Sequence, residues 1–370
     1  MKAYAINVQK LGLALLALAC MAMAANAQQA QVAPGSERPM FKRFPGQLRA
    51  PKTRIEAAAT PLTTWNGSFT SSGTTYNYNM VGTKPSGGGS TTVQVKIIPI
   101  KIVITNRRGS KVTYDPAHVL SNGNSVTTNT VQSPIFAGVP FSSGGVSMGT
   151  TQYIDAYQRA NFWGTVQSHT GYHVLLGGPT VLAEQTLSPP SRSGKTGSVF
   201  GFTAGLVDIN WFDSQVHTIM TNLGITPNTF PIFLTYDVYL TQNNSCCIGG
   251  YHSSTGLVSA PQSYAHATYI NHPTFAQNVS ALSHEVGEWM DDPLVVNING
   301  NNTPCGTLEN GDPLENNANF GDFPTTGHNG FSYDLQDLVT LPYFGAPPST
   351  SVNKEFTFLG ESLSVCQNGS

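Results

Sequence analysis

The run Thr92–Thr105, T-V-Q-V-K-I-I-P-I-K-I-V-I-T, constrains the fold most. Val93, Val95 and Ile97 alternate with polar neighbours, and Ile102 and Ile104 resume the alternation after Pro99. β-Branched residues at a period of two specify a strand, and Pro99 predicts a bend or bulge within it. Other stretches carry the same texture. Trp65–Met80 predicts a hairpin turning at Ser71-Ser72-Gly73, and Tyr172–Leu176 a short strand in which His173 is half-buried. Pro231–Leu240 is apolar enough for a central strand, and Ser263–Ile270 alternates as one.

Three stretches change to a helical period. In Gly149–Trp163, Tyr153, Ile154, Tyr157 and Ala160 or Asn161 recur on one side; in Asp208–Leu223, Phe212, Val216, Ile219, Met220 and Leu223 form a stripe ahead of the capping Gly224. The third runs from Ser280 to the stop at Pro293. Phe331–Pro342 and Ser351–Phe358 predict a short element and a closing strand. This mixture predicts an α+β fold, one domain over residues 61–370 with a β-rich N-terminal part.

Residues 1–27 read as a secretory signal: Lys2 and Lys10 precede the apolar Leu11–Ala24, and Ala25-Asn26-Ala27 suits cleavage. Residues 28–60 read as a loosely packed linker or short pro-segment. The mature protein is then expected to be secreted or periplasmic, without membrane insertion, and monomeric. Cleavage leaves Cys246, Cys247, Cys305 and Cys366 for two disulfides; the adjacent pair either bond each other or reach separately to the other two. Charged residues make up 10% of the chain and the net charge is −2, so no basic surface offers itself to nucleic acid or an anionic membrane.

The chemistry concentrates in Ser283–Pro293, S-H-E-V-G-E-W-M-D-D-P. On a helix, positions i and i+4 lie about 40° apart. His284 and Glu288 then share a face and can hold one metal ion, while Glu285 can serve as its general base. Val279, Leu282, Val286 and Trp289 or Met290 make the apolar face. Gly287 implies the close approach of another element, and Asp291 and Asp292 sit at the end of the helix that disfavours negative charge. A catalytic zinc needs a third protein ligand. The loop after Cys305 offers Glu309 first, then Asp312, then Glu315. His252 and Tyr264 fall just before the helix and are candidates for the cleft.

The run from Cys246 to Asp312 resembles the EXORDIUM-like, phosphate-induced family of secreted proteins and its bacterial H-E-x-x-E relatives. The matching residues are His284-Glu285 with Glu288, the Asp292-Pro293 step, and Glu309 near Cys305. The resemblance implies a zincin-like fold with His284, Glu288 and Glu309 as metal positions. Trp289-Met290-Asp291 and the long N-terminal β region depart from the family pattern. The expected function is an exported zinc metallohydrolase, a peptidase, acting on peptide or cell-wall substrates. The alternative is a non-catalytic cell-surface or carbohydrate-binding protein with a structural or relic metal site.

Overall fold

The computed structural model describes residues 47–50, 60–274, 276–295, 302–303, 306–314, 321–341, 350–355 and 357–360. All of them belong to one compact unit, Glu37–Ser370. The signal segment, Cys305, Glu315 and Cys366 lie outside the described residues. Within the expected linker, Gln47–Arg49 is a strand lying parallel to Thr255–Leu257, so that piece is docked on the sheet.

The fold is mixed α+β, mostly sheet, and the main sheet curls into a half-barrel. Its spine is the strand Ser90–Thr105. Thr229–Tyr236 pairs parallel with it, and Ala260–Tyr269 pairs parallel with Thr229–Tyr236. Gly250–Leu257 forms an antiparallel hairpin with Ala260–Tyr269. The spine buries Val93, Val95 and Ile97 in one core and Ile98, Ile100, Ile102 and Ile104 in another. Its inward face therefore switches between Ile97 and Ile98. Pro99 ends the register with Thr229–Tyr236 and falls between two short strands, Thr180–Val181 at Lys96–Ile97 and Gln185–Leu187 at Ile100–Ile102. A residue without an N–H thus sits where the ladder is interrupted.

A helix covers each face. Ile209–Asn222 packs Phe212, Val216, Ile219 and Met220 against Phe233, Tyr251 and Tyr264. Asp208 caps it, accepting the Trp211 N–H at 2.9 Å. On the other face, Ser280–Asp291 packs Leu282, Val286, Trp289 and Met290 against Phe230, Ala265 and Ala267. Trp289 stacks on Phe230 at 3.7 Å and donates its indole N–H to Ser263 Oγ at 2.9 Å.

Several expected boundaries move. Pro231–Leu240 is two strands, Thr229–Tyr236 and Val238–Gln242, in different sheets. Asp237 breaks them by adopting φ +50°, and its carboxylate accepts the Asn271 N–H at 3.0 Å. The helix expected over Gly149–Trp163 is confined to Tyr153–Asn161, because Val146–Thr151 pairs with Val139–Ser143. The first hairpin forms as read, Thr64–Ser71 against Thr74–Val81. Phe331–Pro342 contains the strand Ser332–Gln336, and among the described residues of Ser351–Phe358 the strand pairing is one bridge between Thr357 and Val339. Cys246 and Cys247 bond each other, which resolves that half of the cysteine pairing.

Candidate metal centre

The helix Ser280–Asp291 places its chemistry against the Gly250–Leu257/Ala260–Tyr269 hairpin and Ser332–Gln336. Three glycines make the approach possible. A Cβ on Gly287 would lie 2.2 Å from Leu338, as the close approach expected there requires. A Cβ on Gly250 would meet Glu285 at 2.7 Å, and one on Gly311 would meet the His284 ring at 2.3 Å.

Among the described residues, two sets of three bring one ligand atom each within 4.8 Å of one another: His252, Glu288 and Glu309; and His284, Glu288 and Asp312. The expected triad of His284, Glu288 and Glu309 is divided between them, with Glu288 common to both. Asp312 completes the helix pair, its Oδ1 3.5 Å from His284 Nε2, while Glu288 Oε1 is 3.1 Å from the same nitrogen. Glu309 instead joins a histidine from the strand Gly250–Leu257, His252, whose Nδ1 lies 3.8 Å from Glu288 Oε2. Glu285 Oε2 is 3.1 Å from the same Nδ1.

Strand alternation decides which face each residue serves. His252 points to the helix with Glu285, while Tyr251 points through the sheet to Asp213. Ser263 faces Trp289, so Tyr264 faces the other way. Its hydroxyl donates to Asp213 at 2.7 Å and lies 2.9 Å from His217 Nε2. Tyr264 therefore lies on the opposite face of the sheet from Glu285 and Glu288, and His252 lies on their face. No local pattern marks His252 as a ligand, since its face depends on the packing of the hairpin against a helix formed later in the chain.

The surroundings hold these groups firmly. His252 Nε2 donates to the Asp292 carbonyl at 3.0 Å, and His284 Nδ1 bonds to Gln336 Oε1. Gly311 donates its N–H to Glu288 Oε1 at 3.0 Å. Asp291 accepts from Gln158 and Asn310, tying the loop Leu308–Asp312 to the helix end. That bonding accounts for a carboxylate at an unfavourable helix terminus. Burial, with Asp292 and Glu288 adding to it, pushes the Asp291 carboxyl up to about 8.

The electrostatics are those of buried, mutually interacting charges. Burial opposes the Glu288 charge, yet His284, with Glu309 and His252, holds its carboxyl at about 2. Burial also opposes a charged His284, but Glu288, Asp312 and Glu285 hold its imidazole well above the usual range. Burial and then Glu288 push Glu309 far above the usual carboxyl range. Both shifts favour protons on His284 and Glu309, the groups from which a bound dication would displace them. The donor set, imidazole nitrogens and carboxylate oxygens, fits a divalent transition ion.

A separate polar cavity of about 480 Å³ opens over the Gly194–Val199/Phe202–Asp208/Val238–Gln242 sheet, lined by Arg192, Lys195, Asp208, Asn244 and Cys246 among others. It includes none of the residues around Glu288. Comparisons with protein-family models, curated proteins and solved structures give no match to this chain.

Proposed function

We propose that this chain is a divalent-cation-dependent hydrolase whose centre is Glu288, with zinc as the ion and peptide or cell-wall material as substrate. The observation that carries the reading is the convergence of His252, His284, Glu288, Glu309 and Asp312 from a strand, a helix and a loop, with Glu285 beside them. The ion, when bound, would supply Lewis-acid chemistry. Glu285, whose Oε2 lies 3.1 Å from His252 Nδ1, would accept a proton and return it to a leaving group. His252 is oriented by the Asp292 carbonyl, and Gln336 orients His284. A zincin-like arrangement is consistent with a helix lying on an antiparallel hairpin. The strand edge at Gly250–Ser254 is buried, so substrate would approach from the side of Asp312, whose side chain is 15% exposed.

A second reading, a non-catalytic binding protein with a structural ion, is favoured by the burial of His252, Glu285 and Glu288 and by the polar cavity elsewhere. Zinc content and hydrolysis of peptide and wall-polymer substrates, measured on the wild type and Glu285→Gln, separate the two. The hydrolase reading expects the variant to keep its zinc and lose at least about a hundredfold in turnover. A zinc-loaded wild type without activity on any such substrate would leave the structural role.

A further inference from the structure

We propose that the Glu288 centre takes two divalent cations, with the Glu288 carboxylate bridging them. This rests on the metal reading above and extends it. The two oxygens of Glu288 face different histidines: Oε1 lies 3.1 Å from His284 Nε2, and Oε2 lies 3.8 Å from His252 Nδ1. Each side also has its own second carboxylate, Asp312 with His284 and Glu309 with His252. Each half therefore offers one imidazole nitrogen, one terminal carboxylate oxygen and one oxygen of the shared carboxylate.

The hydrogen bonds behind the histidines point the same way. A carbonyl oxygen only accepts, so His252 Nε2 carries a proton toward Asp292, and a neutral ring then presents its lone pair at Nδ1. That nitrogen faces Glu285 and Glu288. With Gln336 Oε1 accepting from His284 Nδ1, the neutral ring presents its lone pair at Nε2, facing Glu288 and Asp312. An outer hydrogen bond of this kind is what fixes a ligating histidine with its other nitrogen toward an ion. The same logic repeats on both sides of one carboxylate.

A single ion about 2 Å from its donors uses one set and leaves the other imidazole and carboxylate unused. Two ions satisfy both. Glu285, Glu288, Glu309 and Asp312 together supply four negative charges when ionised, which balance two dications. Two-metal centres hold their ions roughly 3.5–4 Å apart, a span that one carboxylate bridges. Gly311 belongs to the same design: its N–H steadies Glu288 Oε1, and a side chain there would collide with the His284 ring.

The test is metal stoichiometry of the full processed chain after equilibration with Zn²⁺, followed by electron paramagnetic resonance of the Mn²⁺-loaded wild type. Two equivalents of zinc and an exchange-coupled Mn²⁺ signal are expected. His252→Gln and Asp312→Asn should each retain one equivalent, and Glu288→Gln should lower the content well below one. The wild-type signal requires no variant to fold. One equivalent in the wild type would overturn the two-ion centre and leave the single-ion reading standing. Two equivalents without exchange coupling would overturn the bridge. No bound metal would overturn both readings.

Discussion

The two faces of the main sheet each bury a carboxylate-bearing helix, and they resolve that burial in opposite ways. Under Ile209–Asn222, Asp213 accepts from the hydroxyls of Tyr251 and Tyr264 at 3.0 and 2.7 Å. Burial pushes both phenols up, so they remain donors to that carboxylate, and the His217 imidazole lies 3.5 Å from its other oxygen. Under Ser280–Asp291, Glu288 faces Glu309, Asp312 and two histidines. Alternate residues of the same hairpin supply both environments: Tyr251 and Tyr264 on one side, His252 and Ser263 on the other. A buried carboxylate bonded to two hydroxyls is already satisfied, whereas carboxylates buried against one another need protons, histidines or a cation between them.

The largest expected effect sharpens the quiet side of this comparison. Burial lowers His266 to about 3, and its Nε2 lies 3.0 Å from Thr235 Oγ1. The folded chain therefore stays unprotonated there while an unfolded histidine binds a proton below about 6.5. The unfolded state binds more protons between these values, so stability falls as pH drops through that window, by about 1.4 kcal/mol per unit. Urea unfolding across pH 7 to 4 should show this slope, and a folded His266→Gln should lose that contribution. An unchanged slope would contradict it.

Asp213→Ala comes next. It removes the acceptor shared by two buried phenols, Tyr264 keeping His217 Nε2 at 2.9 Å, and a loss of about 2 kcal/mol is expected in chemical denaturation. The matching change on the other face should have the opposite sign. In the metal-free protein, burial and Glu288 raise the Glu309 carboxyl pKa on folding. That penalty is absent below the unfolded carboxyl range and grows as pH rises toward the folded value. Glu309→Gln removes it, so the apoprotein should gain on the order of 1 kcal/mol while losing metal affinity. Destabilisation of the apoprotein by this change would break the comparison. Asp208→Ala, which removes the cap of the quiet helix, should lower stability by about 1 kcal/mol without altering metal content.

The helix was legible because its information is local. The i, i+4 spacing of His284 and Glu288, the apolar Leu282, Val286 and Trp289, and the glycine at 287 all concern one stretch of chain. Its loop partner was legible as a region, but the choice between Glu309 and Asp312 depends on which histidine each carboxylate meets. His252 and Tyr264 were indistinguishable in sequence because one residue of strand register sends a side chain to the opposite face. Ala265 and Ala267, small residues beneath a helix, carried the missing signal. The break at Asp237 was hidden by the continuous apolar pattern on both sides of it. A left-handed residue tied to Asn271 by a tertiary hydrogen bond leaves little local trace.

The most direct test of the central claim is the anomalous difference map of zinc-loaded crystals, collected on both sides of the zinc edge. The account predicts peaks flanking the Glu288 carboxylate, one toward His284 and Asp312 and one toward His252 and Glu309. A map without anomalous density at Glu288, with both histidines still hydrogen-bonded to carboxylates, would contradict it and make this a buried ion-pair network.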